Sequence, residues 1–434
     1  MAIWKSSYPI LLVFVVTCCR PEKIDIVRNA EGVVTQTPFI WKSSISDGIL
    51  GYGLYHGYII DEKGVVCISM RKSADPKKYG EFYVQLKDVD TGKDIWAWDD
   101  FFNKILGSTL NQSILLQNGK MLIHDLNSDY CIDTGTGKTI WKSQRGFGSA
   151  MEPTHLGDKY FISGNPPAMR DRYRVQDALY VGDFNTGQLV EKLRPQYSEE
   201  FAKKIGDWYY VGTLYRFLTF NNGTDEMLLL PYEEPGPVGR FNDQRTFFGL
   251  YNLTREEWVY ERIPVSVAED GGNASLMPIM NGEKVHLTSL NRVFCFDWRT
   301  GKKIWERKLT EIHTGPDDMI LVGNRLVLNF HNATMYCVDA QTGQLLWSQK
   351  SSAMSSDLYH QDGIVYWIRD KNLQALDIET GHILWDMPSL DGKEEKRHDS
   401  WYGGFVTGLS GKNGQKGRIY ATTNLNLYCF EAIR

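Results

Sequence analysis

The chain has 434 residues, of which 42% are hydrophobic and 13% aromatic, and it contains 40 glycines. A formal net charge of -5 is too mild to indicate a nucleic-acid-binding or anionic-membrane-binding surface. The sequence also lacks the CxxCH motif of a haem site and the HExxH motif of a zinc site. Composition and charge therefore exclude several classes of function without indicating one.

The first 19 residues have the pattern of a lipoprotein-type export signal. Lys5 precedes an apolar run that is too short to span a bilayer, and the run ends at Cys18 and Cys19. A polar segment follows, so either cysteine can become the lipidated first residue. We predict a signal over residues 1–19, a tether over 20–37 and a folded domain over 38–434. Plain secretion is the alternative.

The phrase Asp-x-x-Thr-Gly repeats along the rest of the chain. It begins at Asp88, Asp133, Asp183, Asp297, Asp339 and Asp377 and ends at Gly92, Gly137, Gly187, Gly301, Gly343 and Gly381. In five of the six copies a Trp follows four residues after the Gly, at Trp96, Trp141, Trp305, Trp347 and Trp385. Self-similarity at a spacing of about 40 to 50 residues indicates a propeller or a solenoid.

Each copy is predicted to be a β-hairpin. Strand-forming residues run into the turn at Asp297, and an extended pattern resumes at Lys303. The Asp accepts hydrogen bonds from turn amides, and the Gly supplies a positive φ. With further strands upstream, each unit becomes a four-stranded sheet that buries its faces against neighbouring sheets around an axis. The Trp is then expected to pack between blades, with its indole N–H on a backbone carbonyl.

The copies predict eight blades. A decayed copy from Leu250 to Trp258 keeps the Thr and the Trp but loses the Gly, and Trp258 is assigned as its docking residue. The chain ends on a repeat strand, Leu427 to Glu431, with no Trp strand after it, whereas the segment from Phe39 to Ser43 resembles an orphan outer strand. The N-terminal strand is therefore predicted to close the ring. Seven blades are the alternative, if residues 209–262 form an insertion.

Five cysteines lie in the predicted folded domain, and four of them occupy the same repeat position in different blades. A disulfide needs two Cα atoms within about 7 Å, so we expect small buried hydrophobic residues and not a redox or metal cluster. The nine histidines have no spacing typical of a metal site. No catalytic residue and no metal ligand is predicted. The five cysteines are Cys67, Cys131, Cys295, Cys337 and Cys429.

Three inserts are longer than turns, and loops of that kind often bind partners. The first carries Arg170, Arg172, Tyr173 and Arg174, residue types that are enriched at interface anchors. It is the candidate partner-binding loop, with a solvated charged loop as the alternative. In the second insert, Glu233 and Glu234 either face a basic partner or keep the rim soluble. The inserts run from Asn165 to Arg174, from Pro231 to Arg240 and from Leu390 to His398.

The full repeat, as in Tyr336 to Trp347 and Leu373 to Trp385, resembles the tryptophan-docking repeat of the quinoprotein-like propellers. The resemblance covers nearly the whole chain after Thr37. It implies an all-β, eight-bladed β-propeller of four-stranded antiparallel blades. One branch of this superfamily contains dehydrogenases that bind pyrroloquinoline quinone (PQQ), and another contains non-enzymatic propellers such as the BamB-like lipoproteins of the outer-membrane assembly machinery.

The two branches imply different site residues. The dehydrogenases carry two adjacent, disulfide-linked cysteines beside the quinone, a Ca²⁺ held by oxygen ligands and a catalytic Asp. The only adjacent cysteines here, Cys18 and Cys19, lie in the export signal. We therefore expect a non-enzymatic scaffold without a cofactor, lipid-anchored to the outer membrane of a bacterial cell envelope on its periplasmic face. Its expected partners are envelope proteins, such as outer-membrane assembly components.

Two alternatives stay open at this point. One is a PQQ-dependent dehydrogenase. The other is a surface lipoprotein that binds a glycan or another ligand through Trp401 and Tyr402, which would then be exposed together at the mouth of a loop.

Overall fold

The structure is a computed structural model that describes most of the chain. The described residues are 24–46, 57–71, 81–102, 113–125, 127–145, 153–164, 174–198, 203–205, 208–214, 216–235, 244–266, 278–311, 315–330, 332–350, 356–369, 371–389, 401 and 404–434. They form 37 strands in eight sheets and contain no helix. No segment able to cross a membrane as a helix is found among them. The prediction of an all-β propeller with eight blades is confirmed.

The blades follow one another along the chain, and the first strands of several neighbouring blades contact each other around the axis. Blade 1 contains Tyr58–Ile60, Gly64–Arg71, Glu81–Asp88 and Asp94–Trp98, and blade 2 contains Ser113–Gln117, Lys120–His124, Ser128–Asp133 and Thr139–Gln144. Blade 3 contains Thr154–Leu156, Lys159–Gly164, Ala178–Asp183 and Leu189–Leu193, and blade 4 contains Leu218–Asn221, Glu226–Pro235, Gln244–Asn252 and Glu257–Ser266. Blade 5 contains Ile279–Asn281, Lys284–Ser289, Arg292–Asp297 and Lys303–Lys308, and blade 6 contains Pro316–Val322, Arg325–Phe330, Thr334–Asp339 and Leu345–Lys350.

The last two blades complete the ring, and N-terminal strands join the sheets of both. Blade 7 contains Tyr359–Gln361, Ile364–Arg369, Asn372–Asp377 and Ile383–Pro388, and blade 8 contains Val406–Leu409, Arg418–Thr422, Asn426–Glu431 and Phe39–Ser44. Five short strands lie outside this four-strand pattern: Val27–Arg28, Val34–Gln36, Arg174–Gln176, Lys203–Ile205 and Trp208–Leu214.

The repeated turn has the geometry that its residue types favour. In blade 2, Asp133 Oδ1 accepts hydrogen bonds from the N–H of Thr136 at 2.8 Å and from its hydroxyl at 2.7 Å. The Thr136 hydroxyl is the main reason why the pKa of Asp133 lies below its ordinary value. Gly137 has φ of 68° and donates its N–H to the Asp133 carbonyl at 2.8 Å. The same bond from the Thr N–H is present at the other five copies, with Asp88, Asp183, Asp297, Asp339 and Asp377 as acceptors.

Five docking tryptophans join their blades to the turn of the next blade, whereas Trp385 of blade 7 packs against Phe430 of blade 8. The Trp305 indole donates to the Ala340 carbonyl at 3.3 Å, and a Cβ added to Gly343 would lie 2.7 Å from the Trp305 ring. The glycine therefore leaves room for the ring as well as allowing the positive φ. The same pairing joins Trp41 to Gly92, Trp96 to Gly137, Trp141 to Gly187 and Trp347 to Gly381.

The docking residue of blade 4 is Tyr260 and not Trp258 as assigned from the sequence. The Tyr260 hydroxyl donates to the Trp298 carbonyl of blade 5 at 2.6 Å, and its ring lies beside Gly301. Trp258 instead packs against Tyr251 of its own blade, with ring centroids 5.2 Å apart. The turn of this blade begins at Asn252, whose side chain accepts the Arg255 N–H at 2.9 Å. Tyr260 therefore stands eight residues after the first turn residue, as Trp305 does after Asp297, and it pairs with Leu250 as Trp305 pairs with Cys295.

The N-terminal strand closes the ring as predicted. Phe39–Ser44 pairs antiparallel with Asn426–Glu431, and blade 8 is thereby completed. Three donors then converge on one carbonyl of blade 1, that of Val89. They are the Trp41 indole at 3.2 Å, the Arg418 guanidinium at 3.0 Å and the Tyr420 hydroxyl at 3.2 Å.

Part of the segment predicted as a tether also lies on the ring. Val27–Arg28 and Val34–Gln36 form a hairpin, and Val34 pairs in parallel with Trp385 on the outer strand of blade 7. Residues 1–23, with the predicted signal, lie outside the described part of the chain.

The five cysteines of the ring are buried and free, as predicted. Burial raises the pKa of the Cys337 and Cys429 thiols to about 12. These thiols stay protonated at neutral pH and act as small core residues.

The docking contact predicts a difference between two glycine variants of blade 6. Gly343 and Gly323 both have a positive φ, of 72° and 57°, but a Cβ at Gly323 meets nothing within 4 Å. Gly323→Ala should cost about 1 kcal/mol, because only the backbone conformation is strained. Gly343→Ala should cost about 1 to 3 kcal/mol more, because its methyl group must displace the Trp305 ring. Urea unfolding of both variants measures the difference, and equal losses would refute the docking role of Gly343.

Candidate functional site

The ring departs most from its regular pattern at blade 4. Its sheet has seven strands, because Arg174–Gln176, Lys203–Ile205 and Trp208–Leu214 join it. Its second and third strands, Glu226–Pro235 and Gln244–Asn252, have ten and nine residues, whereas the corresponding strands of blades 5 to 7 have six. We call the three added strands and the lengthened hairpin the blade 4 extension.

The candidate partner-binding loop leads into this extension. Arg174 begins the strand Arg174–Gln176, which pairs in parallel with Trp208–Leu214, while Arg170, Arg172 and Tyr173 lie outside the described residues. Asp177 fixes the end of the insert, because its N–H donates to the Gly212 carbonyl at 3.3 Å and its carboxylate accepts the Leu214 N–H at 3.2 Å. The insert of blade 3 is thus attached to blade 4.

The second insert contains less loop than the sequence indicates. Residues 231–235 belong to the strand Glu226–Pro235, and the side chains of Glu233 and Glu234 are buried. The Glu234 carboxylate accepts both guanidinium nitrogens of Arg262, one of them at 3.0 Å, and also a nitrogen of Arg245 at 3.1 Å. The Ser198 N–H donates to it at 2.8 Å. The expectation that these two glutamates face a partner or keep the rim soluble is wrong, because a buried carboxylate needs partners within the fold.

Arg262 connects three segments of the extension. Besides Glu234, its guanidinium donates to the Gln196 carbonyl at 3.0 Å and lies 4.5 Å from the centre of the Phe247 ring. Arg262 has φ of 61°, which only a strongly constrained position tolerates for a side chain of this size. The link from blade 3 is therefore held to the outer strand of blade 4 by a charged side chain.

The partly exposed ring of Phe247 is in contact with two cations. Arg262 lies over it as described, and the guanidinium carbon of Arg245 is 5.8 Å from its centre. Phe247, Arg245 and Arg262 do not belong to the repeated motif. The signal available in the sequence is the unusual distance between the repeats at Asp183 and Asp297.

A second charged cluster, between blades 2 and 3, is buried. His124 Nδ1 is 2.7 Å from Asp129 Oδ1, which also accepts Arg145 Nη1 at 2.8 Å and whose other oxygen accepts the Tyr160 hydroxyl at 3.3 Å. Burial, followed by the charge of Arg145, lowers the pKa of His124 below its ordinary value. His124 and Asp129 are each 1% exposed, so this cluster cannot reach a ligand and instead joins blade 2 to blade 3.

The pair expected at a glycan-binding loop mouth is not supported. Trp401 is 1% exposed and packs against Tyr428, with ring centroids 5.3 Å apart, and against Phe430. Tyr402 lies outside the described residues. The expectation of an exposed Trp401 is wrong, because blades 7 and 8 enclose its ring in their shared core.

The described residues do not fit a quinone and calcium site of the dehydrogenase kind. The five described cysteines are separate and buried, and Cys18 and Cys19 lie outside the described part. Within the same part, no three His, Cys, Asp or Glu side chains are grouped so that they could hold a metal ion.

The pairing of Glu234 predicts a second stability difference. Glu234→Gln leaves two guanidinium groups without their buried carboxylate and should cost about 3 kcal/mol. Glu226→Gln, on the same strand, removes only an exposed pair with Lys159 at 2.8 Å and should cost less than about 1 kcal/mol. Chemical unfolding of both variants tests this, and a Glu234→Gln variant as stable as the control would show that the cluster does not hold the extension.

Comparison with known proteins gives two matches in sequence. A family model described as outer membrane protein assembly factor BamB matches residues 273–400. The outer membrane protein assembly factor BamB of Francisella salina is 26% identical over 88 residues, which cover 20% of this chain and 16% of that protein. The chain therefore matches about a sixth of the length of this relative.

Solved structures extend the likeness to the whole ring. BamB from Moraxella catarrhalis superposes with a TM-score of 0.54 at 13% identity, over 92% of this chain and 98% of that chain. A europium-containing methanol dehydrogenase superposes with a TM-score of 0.59 at 13% identity, over 91% and 93% of the two chains. At such identity these two matches show the fold alone. The comparisons therefore show that residues 273–400 resemble the BamB family model and that the ring as a whole has the fold of BamB and of the methanol dehydrogenase.

Proposed function

We propose that the protein is a non-enzymatic scaffold of the bacterial cell envelope that holds a partner protein at the blade 4 extension. The observation that carries the proposal is the convergence of three irregular segments on one sheet. These are the insert of blade 3, the link between blades 3 and 4, and the lengthened hairpin Glu226–Asn252. Blade packing does not require these additions, since the other blades form without them.

The chemistry of the extension suits a protein partner. The candidate loop from Arg170 to Arg174 contains three arginines and a tyrosine, and its last residue begins a strand of the extension. Arg and aromatic side chains are enriched among the residues that dominate binding energy at interfaces. Phe247, already in contact with Arg245 and Arg262, adds a partly exposed aromatic ring with fixed neighbours. A fixed anchor loses little conformational entropy when a partner binds.

The proposed place of action follows from the likeness to BamB, whose name describes outer-membrane protein assembly. Lipidation at Cys18 or Cys19 and a tether would attach the protein to the outer membrane, on the periplasmic face. The N-terminal hairpin runs along blade 7, which is three blades from blade 4 in a ring of eight. Attachment through this hairpin leaves the blade 4 extension accessible to a partner.

The fold shared with a methanol dehydrogenase favours one second candidate, a PQQ-dependent oxidoreductase. Against this candidate, the described residues include neither adjacent cysteines nor a group of three His, Cys, Asp or Glu side chains that could hold a metal ion.

Site-specific photo-crosslinking in the native envelope tests the scaffold. A crosslinking amino acid at Phe247 should give adducts with outer-membrane assembly components, because this position lies in the blade 4 extension. The matched control is Ile304 on the outer strand of blade 5, which is 46% exposed. Equal adducts from the two positions, or none from Phe247, would contradict the assignment of the partner to blade 4.

The oxidoreductase candidate makes a separate prediction. Purified protein supplied with PQQ, Ca²⁺ and an artificial electron acceptor should oxidise alcohols or sugars no faster than a sample without protein. Dye reduction measures the rate, and an authentic quinoprotein dehydrogenase in the same assay is the control. Turnover that depends on both PQQ and Ca²⁺ would overturn the non-enzymatic role.

A further inference from the structure

The first turn of blade 8 is much longer than its counterparts. Residues 410–417 join Val406–Leu409 to Arg418–Thr422, so this turn has eight residues. The corresponding turn has two residues in blades 2, 3, 5, 6 and 7. Loops that exceed the length needed for connection often carry function. We call residues 408–418, with the sequence Gly-Leu-Ser-Gly-Lys-Asn-Gly-Gln-Lys-Gly-Arg, the closure hairpin.

The sequence specifies the shape of the closure hairpin. Asn413 and Gly414 have φ of 53° and 78°, and the Gln415 N–H donates to the Lys412 carbonyl at 3.1 Å, which is a tight turn at the tip. A Cβ on Gly411 would lie 2.0 Å from the Gln415 carbonyl oxygen, and one on Gly417 would lie 2.0 Å from Gln361 Nε2. At Gly411 and Gly417 the surrounding atoms are so close to the backbone that no side chain would fit.

A cleft of 370 Å³ lies beside the closure hairpin, where blades 7, 8 and 1 meet. Lys412, Lys416 and Arg418 line it together with glycine backbone from the hairpin. Tyr359, Leu409 and Val89 supply apolar lining. The volume falls within the range of small-molecule pockets, about 300 to 1,000 Å³.

The closure hairpin carries three cationic residues and no acidic one. Each cation is paired with a carboxylate: Lys412 with Glu62 and Arg418 with Asp90, both in turns of blade 1, and Lys416 at 3.1 Å with Glu431, the last residue of a strand of blade 8. The three carboxylate side chains are 61% to 67% exposed. Ion pairs with such exposure contribute about 0 to 1 kcal/mol, so a ligand anion can replace the carboxylates at little cost.

One further donor lies under the cleft. Gln361 is 3% exposed, and its Nε2 has no hydrogen-bond acceptor among the described residues. This amide lies directly against Gly408 and Gly417, two of the residues that line the cleft. The cleft thus has three cations in its lining, together with the Glu62 and Asp90 carboxylates that a ligand anion would replace, and one amide donor beneath it.

We propose that this cleft binds a phosphate group carried by a small organic moiety. A phosphate monoester has about -1.5 to -2 charges at pH 7 and three acceptor oxygens, which match cations that approach from two sides of the hairpin. The ring of Tyr359 and the side chains of Leu409 and Val89 would contact the attached moiety. The site is independent of the proposed partner site, because blades 8 and 4 are four blades apart in a ring of eight.

Titration calorimetry of the full protein at low salt tests the cleft. Inorganic phosphate, glucose 1-phosphate and glycerol 3-phosphate are the probes, and glucose is the uncharged control. We expect the two organic phosphates to bind more tightly than inorganic phosphate, and the affinity to fall as NaCl is added. A stronger signal with the sugar phosphate or with the glycerol phosphate distinguishes a sugar from a lipid headgroup as the source. No binding of either organic phosphate overturns the proposal.

Paired variants assign any binding to the cleft. Lys412→Met with Lys416→Met should weaken the binding of the preferred probe at least tenfold. The control pair is Lys138→Met with Lys302→Met, which removes the same charge from two exposed repeat turns and should change affinity less than twofold. Arg418 is left unchanged because it also bonds to Val89 at the ring closure. Equal weakening by the two pairs would show a general charge effect and overturn the site. The unfolding midpoint should be the same for both pairs, since Lys412 and Lys416 are 67% and 51% exposed.

Discussion

The contact between an outer-strand aromatic ring and the turn of the next blade determines how this ring is built. Its effect is clearest where it is missing. Blade 3 has Glu191 in place of the Trp, and the following turn has Glu256 at φ of 58° in place of the Gly. Blade 4 keeps an aromatic docking residue, Tyr260, and the following turn keeps Gly301. Glu256 adopts a positive φ, so the backbone conformation of this turn does not by itself require a glycine. The turn has a glycine where an aromatic ring of the preceding blade packs against it.

The sequence predicted the features that depend on neighbours along the chain. The turns, the hairpins and the eight blades could be read from the repeat, because Asp, Thr and Gly act within five residues of one another. The docking Tyr260 could not be read in this way, because Asn252 and Glu256 replace the Asp and the Gly from which the docking position is counted. The burial of Glu234 could not either, since its partners Arg245 and Arg262 stand 11 and 28 residues away and are brought to it by the sheet.

Both candidate sites lie where the ring departs from its regular repeat. The regular blades bury their side chains against neighbours of the same kind, so their surfaces are repeats of one pattern. At the blade 4 extension, Glu234 and Arg262 hold segments from two different blades in one sheet. The closure hairpin, with its glycines and lysines, belongs to blade 8, where Asn426–Glu431 pairs with the N-terminal strand Phe39–Ser44. Both sites are departures from the repeat, so a search for repeats alone would pass over them.

The strand that closes the ring also determines when folding of the ring can be completed. Phe39–Ser44 is synthesised before every other strand of the eight blades, whereas its partner Asn426–Glu431 is synthesised after them. Until both are present, blade 8 has an unpaired edge, and Trp41 cannot reach the Val89 carbonyl. Pairing of such distant segments is slow because a long loop must close first. A chain of this design therefore spends its assembly time with an open sheet edge, and that interval is when it most needs protection from aggregation.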